Sequence, residues 1–345
     1  MYLHSLNNLR ALSIILIVFN HTFWVSNWHP ESVYSGLYKF LLMGGTFYFL
    51  FISGFLFNHL SVENFSYSKF IKQKIRTVIS PYIFLSIFPI IVAVTVYPVY
   101  PEYFFTIKGQ GIWLEYIKPA ILYFLSGRVL TGYWYIPFIA LVFILSPLFV
   151  KYSKFTLKNQ LLLLGCLIII SGFTHRATDN MNPFQAVVYL IPMFMFGMLC
   201  SAYNTEIKKI SMGYVTLLIL GSTILSVYQL VVLNIPGNLS KEMFTYAGFD
   251  LRLIEKGMQI LGVYLLFERF CSKDIKFISL IASSSFAIYF LHSIVIFVIK
   301  RVVPANWEGF LYWHLLTICV VGICILIAWI LKKILGHKSR YIIGW

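Results

Sequence analysis

Two side chains in the first apolar segment of the chain are of types that act on substrates. Arg10 and His21 lie eleven positions apart. At about 100° and 1.5 Å per residue, this spacing places both on nearly the same face of a helix, about 16 Å apart along its axis. A guanidinium can hold a phosphate, and a neutral imidazole can take a proton or an acyl group. The pair predicts a cavity in which His21 is catalytic and Arg10 binds an anionic donor or acts as an electrostatic partner.

Each of these residues also has an ordinary structural interpretation. An arginine near a helix end extends to lipid headgroups, and a histidine at the other end sits at the membrane boundary. Ionisable groups at membrane depth cost about 3 kcal/mol each on insertion scales, so they normally face a bundle interior or a wet cavity. Two such groups on one face therefore favour the functional interpretation.

The composition defines the environment of this site. Apolar residues make up 59% of the chain and charged residues only 11%, against about 25% charged residues in soluble domains. Apolar runs of about 20 residues, the length that crosses a bilayer, recur along the sequence. We therefore predict an all-α, polytopic integral membrane protein with one transmembrane domain, residues 1–345, and no separate soluble domain. The five cysteines have no metal-ligand spacing, so we assign them to packing and predict no metal.

Hydropathy predicts about ten transmembrane helices. They lie near residues 9–28, 38–58, 78–98, 133–150, 160–174, 185–203, 212–233, 250–270, 278–299 and 310–331. The segment 111–127 is predicted to be an additional interfacial or re-entrant piece. The eighth segment is unusual because Asp250, Arg252, Glu255 and Lys256 stand at its start.

The formal charge of +15 bears on the partners of the chain, and the distribution of its Lys and Arg residues predicts the orientation of the chain in the membrane. A basic surface for nucleic acid needs a soluble face, and no such domain is visible, so we expect no nucleic-acid partner. Most Lys and Arg residues fall in loops on the side of the N-terminus, which predicts that both termini are cytoplasmic. The basic run at 69–76 fits this topology rule. Within that run, Lys72 and Arg76 are candidates for binding an anionic group such as a phosphate.

Four further residues are candidates for binding an acceptor. Trp134 and Tyr135 begin a predicted span, where an aromatic belt explains them, yet aromatic rings also stack on sugars. Tyr289 and His292 are three residues apart and share a helix face. They serve either as hydrogen-bonded core residues or as part of an acceptor-side cavity.

The second predicted span carries Ser53 and Gly54. Small residues let helix backbones approach each other closely in lipid. No acidic partner at triad-like spacing identifies Ser53 as a nucleophile, so both residues are interpreted as structural.

Together, these segments resemble the membrane acyltransferase-3 family, which includes O-acetyltransferases of O-antigens, capsules and other surface glycans. The resemblance begins with the Arg, ten intervening residues and His of the first helix. It continues in order through the aromatic-Ser-Gly helix at 47–56, the basic loop at 69–76 with its following Pro-Tyr, the Trp-aromatic helix start at 133–136, and the Ser-rich helix at 283–292, which has Phe290 where the family has Leu.

The resemblance implies an activity and a location. The donor would be acetyl-CoA, bound from the cytoplasm, and the acceptor a hydroxyl of a cell-envelope polysaccharide or its lipid-linked oligosaccharide precursor. The chain would lie in the bacterial inner membrane, in contact with lipid. His21 would act either as a base or as a covalent acyl carrier, and the sequence leaves both open, together with the oligomeric state.

Other functional classes remain possible at this point. Ten helices with interior ionisable residues also describe a glycan or lipid transporter or flippase, but the two halves of this chain share no visible pattern of broken helices. A non-catalytic subunit of a polysaccharide synthesis or export complex is a third possibility. The presence of both Arg10 and His21 favours the enzyme.

Overall fold

The chain folds as a helical bundle. The computed structural model describes residues 3–105, 109–235, 237, 239–302 and 307–345. Its first half contains α1 (His4–Phe23), α2 (Val33–Leu42), α3 (Gly45–Ser61), α4 (Tyr67–Lys74), a π-helix (Ile75–Ile79), α5 (Ser80–Thr95), α6 (Pro101–Phe104), a second π-helix (Trp113–Ile117), α7 (Lys118–Ser126), α8 (Tyr135–Ile144) and α9 (Ser146–Ser153).

The second half is also mainly helical. It contains α10 (Leu157–Thr174), β1 (Arg176–Ala177), a 3-10 turn (Thr178–Asn180), α11 (Pro183–Ala202), α12 (Asn204–Ile207), α13 (Met212–Val227), a π-helix (Tyr228–Val232), β2 (Ser240–Lys241), α14 (Arg252–Phe270), α15 (Lys276–Ser283), α16 (Ser285–Val302), α17 (Phe310–Leu335), a 3-10 turn (Gly336–Lys338) and α18 (Ser339–Ile342). Strands β1 and β2 form one short parallel pair between two loops.

The predicted membrane fold is confirmed. Within the described ranges, seven helices have the length and hydropathy to cross a membrane, and the pair α8 and α9, bent by 57°, makes an eighth. All ten predicted segments coincide with helices. The remaining two, α1 and α14, are 20 and 19 residues long, and their polar side chains lower their hydropathy. The orientation with both termini in the cytoplasm stays a prediction.

The segment 111–127 forms a short helix, in which the second π-helix continues directly into α7. A helix over 113–126 is too short to span a bilayer. Several of its apolar side chains are exposed, among them Trp113 and Leu125. This geometry agrees with the interfacial alternative for this segment.

The centre of the bundle is formed by α1, α3 and α11. Helix α1 contacts α3 and also α14, α15, α16 and α17. Helices α3 and α11 approach so closely that a Cβ atom built on Gly54 would lie 1.8 Å from the carbonyl oxygen of Phe194, and one on Gly197 would lie 2.0 Å from that of Phe51. Glycine is required where two backbones touch in this way.

Helix α14 inserts a cluster of charges into the bundle. The side chains of Arg252, Glu255 and Lys256 are buried, and the Glu255 carboxylate forms ion pairs with Arg252 at 3.4 Å and with Lys256 at 3.2 Å. The Lys256 ammonium also donates to the carbonyls of Phe40 and Leu41, at 3.3 Å each. These carbonyls belong to the end of α2, where cations are favoured by the helix dipole. The buried cations of α14 therefore stabilise the end of α2, where the chain breaks before α3.

Candidate active site

The site is organised around two histidines from distant parts of the chain. His21 lies in the last turn of α1, and His292 lies in α16. The Nδ1 atom of His21 is 2.7 Å from the Nε2 atom of His292, and the two ring planes differ by only 5°. The His292 side chain is fully buried. The structure thus places the two imidazoles in one hydrogen-bonded pair.

The hydrogen bonds of this pair determine which nitrogens carry protons. The Nδ1 atom of His292 lies 3.1 Å from the carbonyl oxygen of Ile288. Because a carbonyl oxygen can only accept, this Nδ1 must carry the proton, and the Nε2 of a neutral His292 is then an acceptor. His21 must donate its own Nδ1 proton to that acceptor. The Nε2 atom of His21 is therefore left as an unprotonated, basic nitrogen.

The loop between α7 and α8 positions His292. The Gly132 amide donates to the Ser293 hydroxyl at 3.2 Å, and the Tyr289 hydroxyl donates to the Gly132 carbonyl. A Cβ atom on Gly132 would lie 2.9 Å from Cε1 of His292. Glycine at this position therefore lets the loop close over the imidazole, which limits the ring to one orientation.

His21 opens onto a small cavity of about 30 Å³, which has room for only a few water molecules. The sequence-predicted residues Trp134, Tyr135 and Tyr289 line this cavity together with His21. All three are largely buried. The structure therefore brings four of the predicted acceptor-side and catalytic residues to one place, with His292 directly behind them.

Arg176 supplies a positive charge to the same cavity. Its guanidinium lies 4.6 Å from the centre of the Trp134 ring, and its backbone is fixed by the pairing of β1 with β2. Burial lowers the pKa of Arg176 to about 10, so the group stays protonated at neutral pH. A fixed cation beside His21 favours negative charge that develops on a reacting oxygen.

Arg10 lies at the opposite end of α1 from His21. Its guanidinium carbon is 5.2 Å from the centre of the Phe286 ring, and its charge acts on that of Lys74. Arg76 lies at the same end of the bundle, over the ring of Tyr341. Arg10 lines neither of the two cavities that reach His21. A continuous route between the guanidinium and the imidazole stays a prediction.

The remaining predicted residues are Lys72, a candidate for donor binding, and the structural residues Ser53 and Gly54. Lys72 is exposed at the end of the short helix α4, so the structure holds it in no enclosed pocket. The Ser53 hydroxyl donates to the carbonyl of Phe49 one turn earlier, at 2.8 Å, and also lies within reach of the Tyr135 hydroxyl. Gly54 occupies the contact between α3 and α11 described above. Neither residue is placed as a nucleophile.

Sequence reasoning missed Arg128, Gly132, Arg176 and Ser293 as site residues. In the sequence, Arg176 lies in a loop with His175 and Asp179, and one His and one Asp are too few to indicate a metal site. Within the described part of the chain, no group of three or more His, Cys, Asp or Glu side chains could hold a metal ion. Gly132 and Ser293 contact His292, and Arg128 and Arg176 each line a cavity together with His21. These are tertiary relations, for which the sequence carries no local signal.

These features define a multi-pass helical membrane protein with a basic imidazole nitrogen at an internal cavity. A family model described as an acyltransferase domain, Acyl_transf_3, matches residues 3–329. The chain therefore belongs to the acyltransferase-3 family, which confirms the resemblance, and it is a membrane acyltransferase. Comparisons with curated proteins and with solved structures gave no match.

The contact between the two histidines leads to a testable prediction for His292. We expect His292→Ala to lower the turnover number for acyl transfer about 10- to 100-fold, the usual effect of losing a partner that orients a functional histidine. The His292→Gln variant should recover most of this loss, because its amide oxygen can accept the proton of His21 Nδ1. Turnover of purified variants would measure this. Equal losses in both variants would contradict the orienting role.

Proposed function

We propose that this protein moves an acetyl group from acetyl-CoA to a hydroxyl of a cell-envelope polysaccharide or its lipid-linked precursor, in the bacterial inner membrane. The observation that carries the proposal is the His21 and His292 pair, which leaves Nε2 of His21 basic. That nitrogen lies in a chain whose family is an acyltransferase family. An acyl transfer to a hydroxyl needs such a base or nucleophile.

The chemistry follows one of two routes through the same nitrogen. As a base, His21 takes the proton of the acceptor hydroxyl at Nε2 while the oxygen attacks the thioester carbonyl, and the C–S bond then breaks with return of the proton to the thiolate. As an acyl carrier, Nε2 attacks the thioester carbonyl, and the C–S bond breaks to release the thiolate. The acceptor hydroxyl then attacks the acyl group on Nε2, the C–N bond breaks, and the hydroxyl proton passes through the freed Nε2 to the thiolate. In both routes the His21 imidazolium is stabilised by its hydrogen bond to His292.

Arg10 is proposed to bind the donor. It lies about 16 Å along α1 from His21, and a thioester arm is long and thin enough to cover such a separation. Arg76 and Lys72 lie in the helical segments at the same end of the bundle. Phosphates of the donor would be held by these cations through charge-assisted hydrogen bonds. The acyl end would then lie toward His21.

This role predicts a specific kinetic effect of Arg10→Ala. A hydrogen bond to a charged group contributes about 1.5 to 3 kcal/mol, so we expect the KM for acetyl-CoA to rise about 10- to 100-fold with a smaller change in turnover number. Arg340→Ala is the matched control, because it removes an exposed arginine from the same end. An unchanged KM in Arg10→Ala would contradict donor binding by Arg10.

The proposed function is tested by mass spectrometry of surface polysaccharide from cells with and without this chain. The expected result is that sugars lose the mass of an acetyl group when the chain is removed and regain it on complementation. In membranes, transfer of label from acetyl-CoA to glycan should depend on the chain. Identical glycans in both strains, with altered passage of glycan across the membrane, would instead identify a transporter.

A further inference from the structure

A second cavity, much larger than the first, also reaches His21. It has a volume of about 880 Å³, within the range of about 300 to 1,000 Å³ that is typical of ligand sites. We call it the lateral groove. Its walls are formed by α5, α16, the residues around Trp24 and the two loop segments 97–100 and 128–131. Unlike the small cavity, it is large enough to hold a ligand of many atoms.

The lateral groove is apolar and open at its side. Phe88, which lines it, is 73% exposed, and Phe297 on the opposite wall is 44% exposed. Both belong to helices with the hydropathy of membrane spans. Exposed apolar side chains on such helices face hydrocarbon. An apolar chain can therefore enter the groove directly from the bilayer.

Arg128 lies in the wall of the lateral groove and is only 5% exposed. Its guanidinium donates to the Tyr100 hydroxyl and to the Thr131 carbonyl, while its buried Nε atom has no hydrogen-bond partner. Across the residues with described positions, no carboxylate lies within ion-pair distance of it. The charge of Asp179 acts on it, but that carboxylate accepts from Tyr103.

A buried cation without a paired anion is costly. Among the described residues, the lining of the groove contains one further Lys or Arg, Lys300, and no acidic side chain. The electrostatics of the groove therefore favour an anionic ligand. An arginine fork with an unused N–H is suited to a phosphate, which accepts several hydrogen bonds at once.

We infer that the lateral groove binds a lipid-linked phosphate, with the hydrocarbon chain between α5 and α16 and the phosphate on Arg128. This inference rests on the proposed function for the identity of the attached group, a glycan whose hydroxyl reaches His21. Arg128 and His21 line the same groove, so a group attached to the bound phosphate can extend to the basic nitrogen. The groove thus selects acceptors that carry both a long apolar chain and a phosphate.

Binding of farnesyl phosphate and of its neutral counterpart farnesol tests this inference without any acyl transfer. Both would be titrated into the full chain in phosphatidylcholine nanodiscs. We expect farnesyl phosphate to bind at least about tenfold more tightly, from the charge-assisted hydrogen bonds to Arg128. The Arg128→Gln variant should lose this preference and bind both probes equally. Equal binding of both probes to the unmodified chain would overturn the inference.

Matched controls separate the site from general effects of charge. Lys118→Gln removes an equal charge from an exposed side chain at the start of α7, outside the groove lining. It should leave the preference within about twofold, because screened surface charges contribute little. A loss as large as that in Arg128→Gln would overturn the inference. Displacement of farnesyl phosphate by inorganic phosphate would also overturn it. So would a loss of binding when the nanodiscs are made of phosphatidylglycerol instead of phosphatidylcholine.

The same experiment separates this inference from the proposed function. If acetylation of glycan is absent but the preference for farnesyl phosphate stands, the proposed function fails alone. If the two probes bind equally while acetylation is intact, the lateral groove inference fails alone.

Discussion

Replacement of His21 by asparagine is expected to lower acyl transfer by about 100- to 10,000-fold, the range for removal of a general acid or base. Asparagine retains an N–H near the position of Nδ1, so the hydrogen bond to His292 is kept. It has no counterpart of the basic Nε2 atom. The variant therefore removes the proposed chemistry while it leaves the buried pair satisfied. Label transfer from acetyl-CoA in membranes, normalised to the amount of inserted protein, measures the effect.

The matched control is His29→Asn, which changes an exposed histidine in the loop after α1. It should transfer acyl groups as the unmodified chain does. If His21→Asn kept more than about a tenth of the activity, neither the base route nor the carrier route would stand. Accumulation of label on the unmodified chain in the absence of acceptor, and its loss in His21→Asn, would favour the carrier route.

The second large effect is expected for the glycines between α3 and α11. A methyl group at Gly54 or Gly197 would overlap a backbone carbonyl of the opposite helix, at 1.8 and 2.0 Å. Backbone atoms cannot rotate away as a side chain can, so the helices must separate. We expect Gly54→Ala and Gly197→Ala each to cost at least about 3 kcal/mol, the upper end of the usual cost of overpacking. Thermal unfolding in detergent measures this cost.

Gly165→Ala in α10 is the control for this effect. Apart from its chain neighbours and the backbone of its own helix, no atom of the described residues lies within 4 Å of a Cβ atom built at that position. Alanine is also a better helix former than glycine by about 1 kcal/mol. The control should therefore unfold at the same or a higher temperature. If Gly54→Ala were as stable as Gly165→Ala, the helices would not be in the contact described above.

The fold could be predicted from the sequence because membrane hydropathy is a local property. Each predicted span falls on a helix. The details that hydropathy does not encode are the breaks, such as the bend between α8 and α9. At that bend α9 begins at Ser146, and its second residue is Pro147. Proline removes a backbone donor and ends the preceding helix, but a hydropathy average over a whole window does not resolve it.

The candidate site was predictable in its members but not in its geometry. Tyr289 and His292 were expected on one face of a helix, and Trp134 and Tyr135 at a helix start. The direct contact of His292 with His21 joins residues 271 positions apart, which no local pattern reveals. The same limit explains Arg128 and Arg176. Their functional importance comes from burial and from proximity to His21, and both are properties of the assembled bundle.

The charges of α14 have a consequence for the order in which the chain assembles in the bilayer. An arginine or lysine inside the bilayer opposes insertion of an isolated helix, by about 3 kcal/mol at the helix centre and less toward its ends, and α14 carries Arg252, Glu255 and Lys256 in its first two turns. Their partners Phe40 and Leu41 are synthesised long before α14. During biogenesis, α14 is therefore expected to leave the translocon only when α2 and α3 are available to receive it. A nascent chain that ends before residue 252 would leave the α2 carbonyls without these donors.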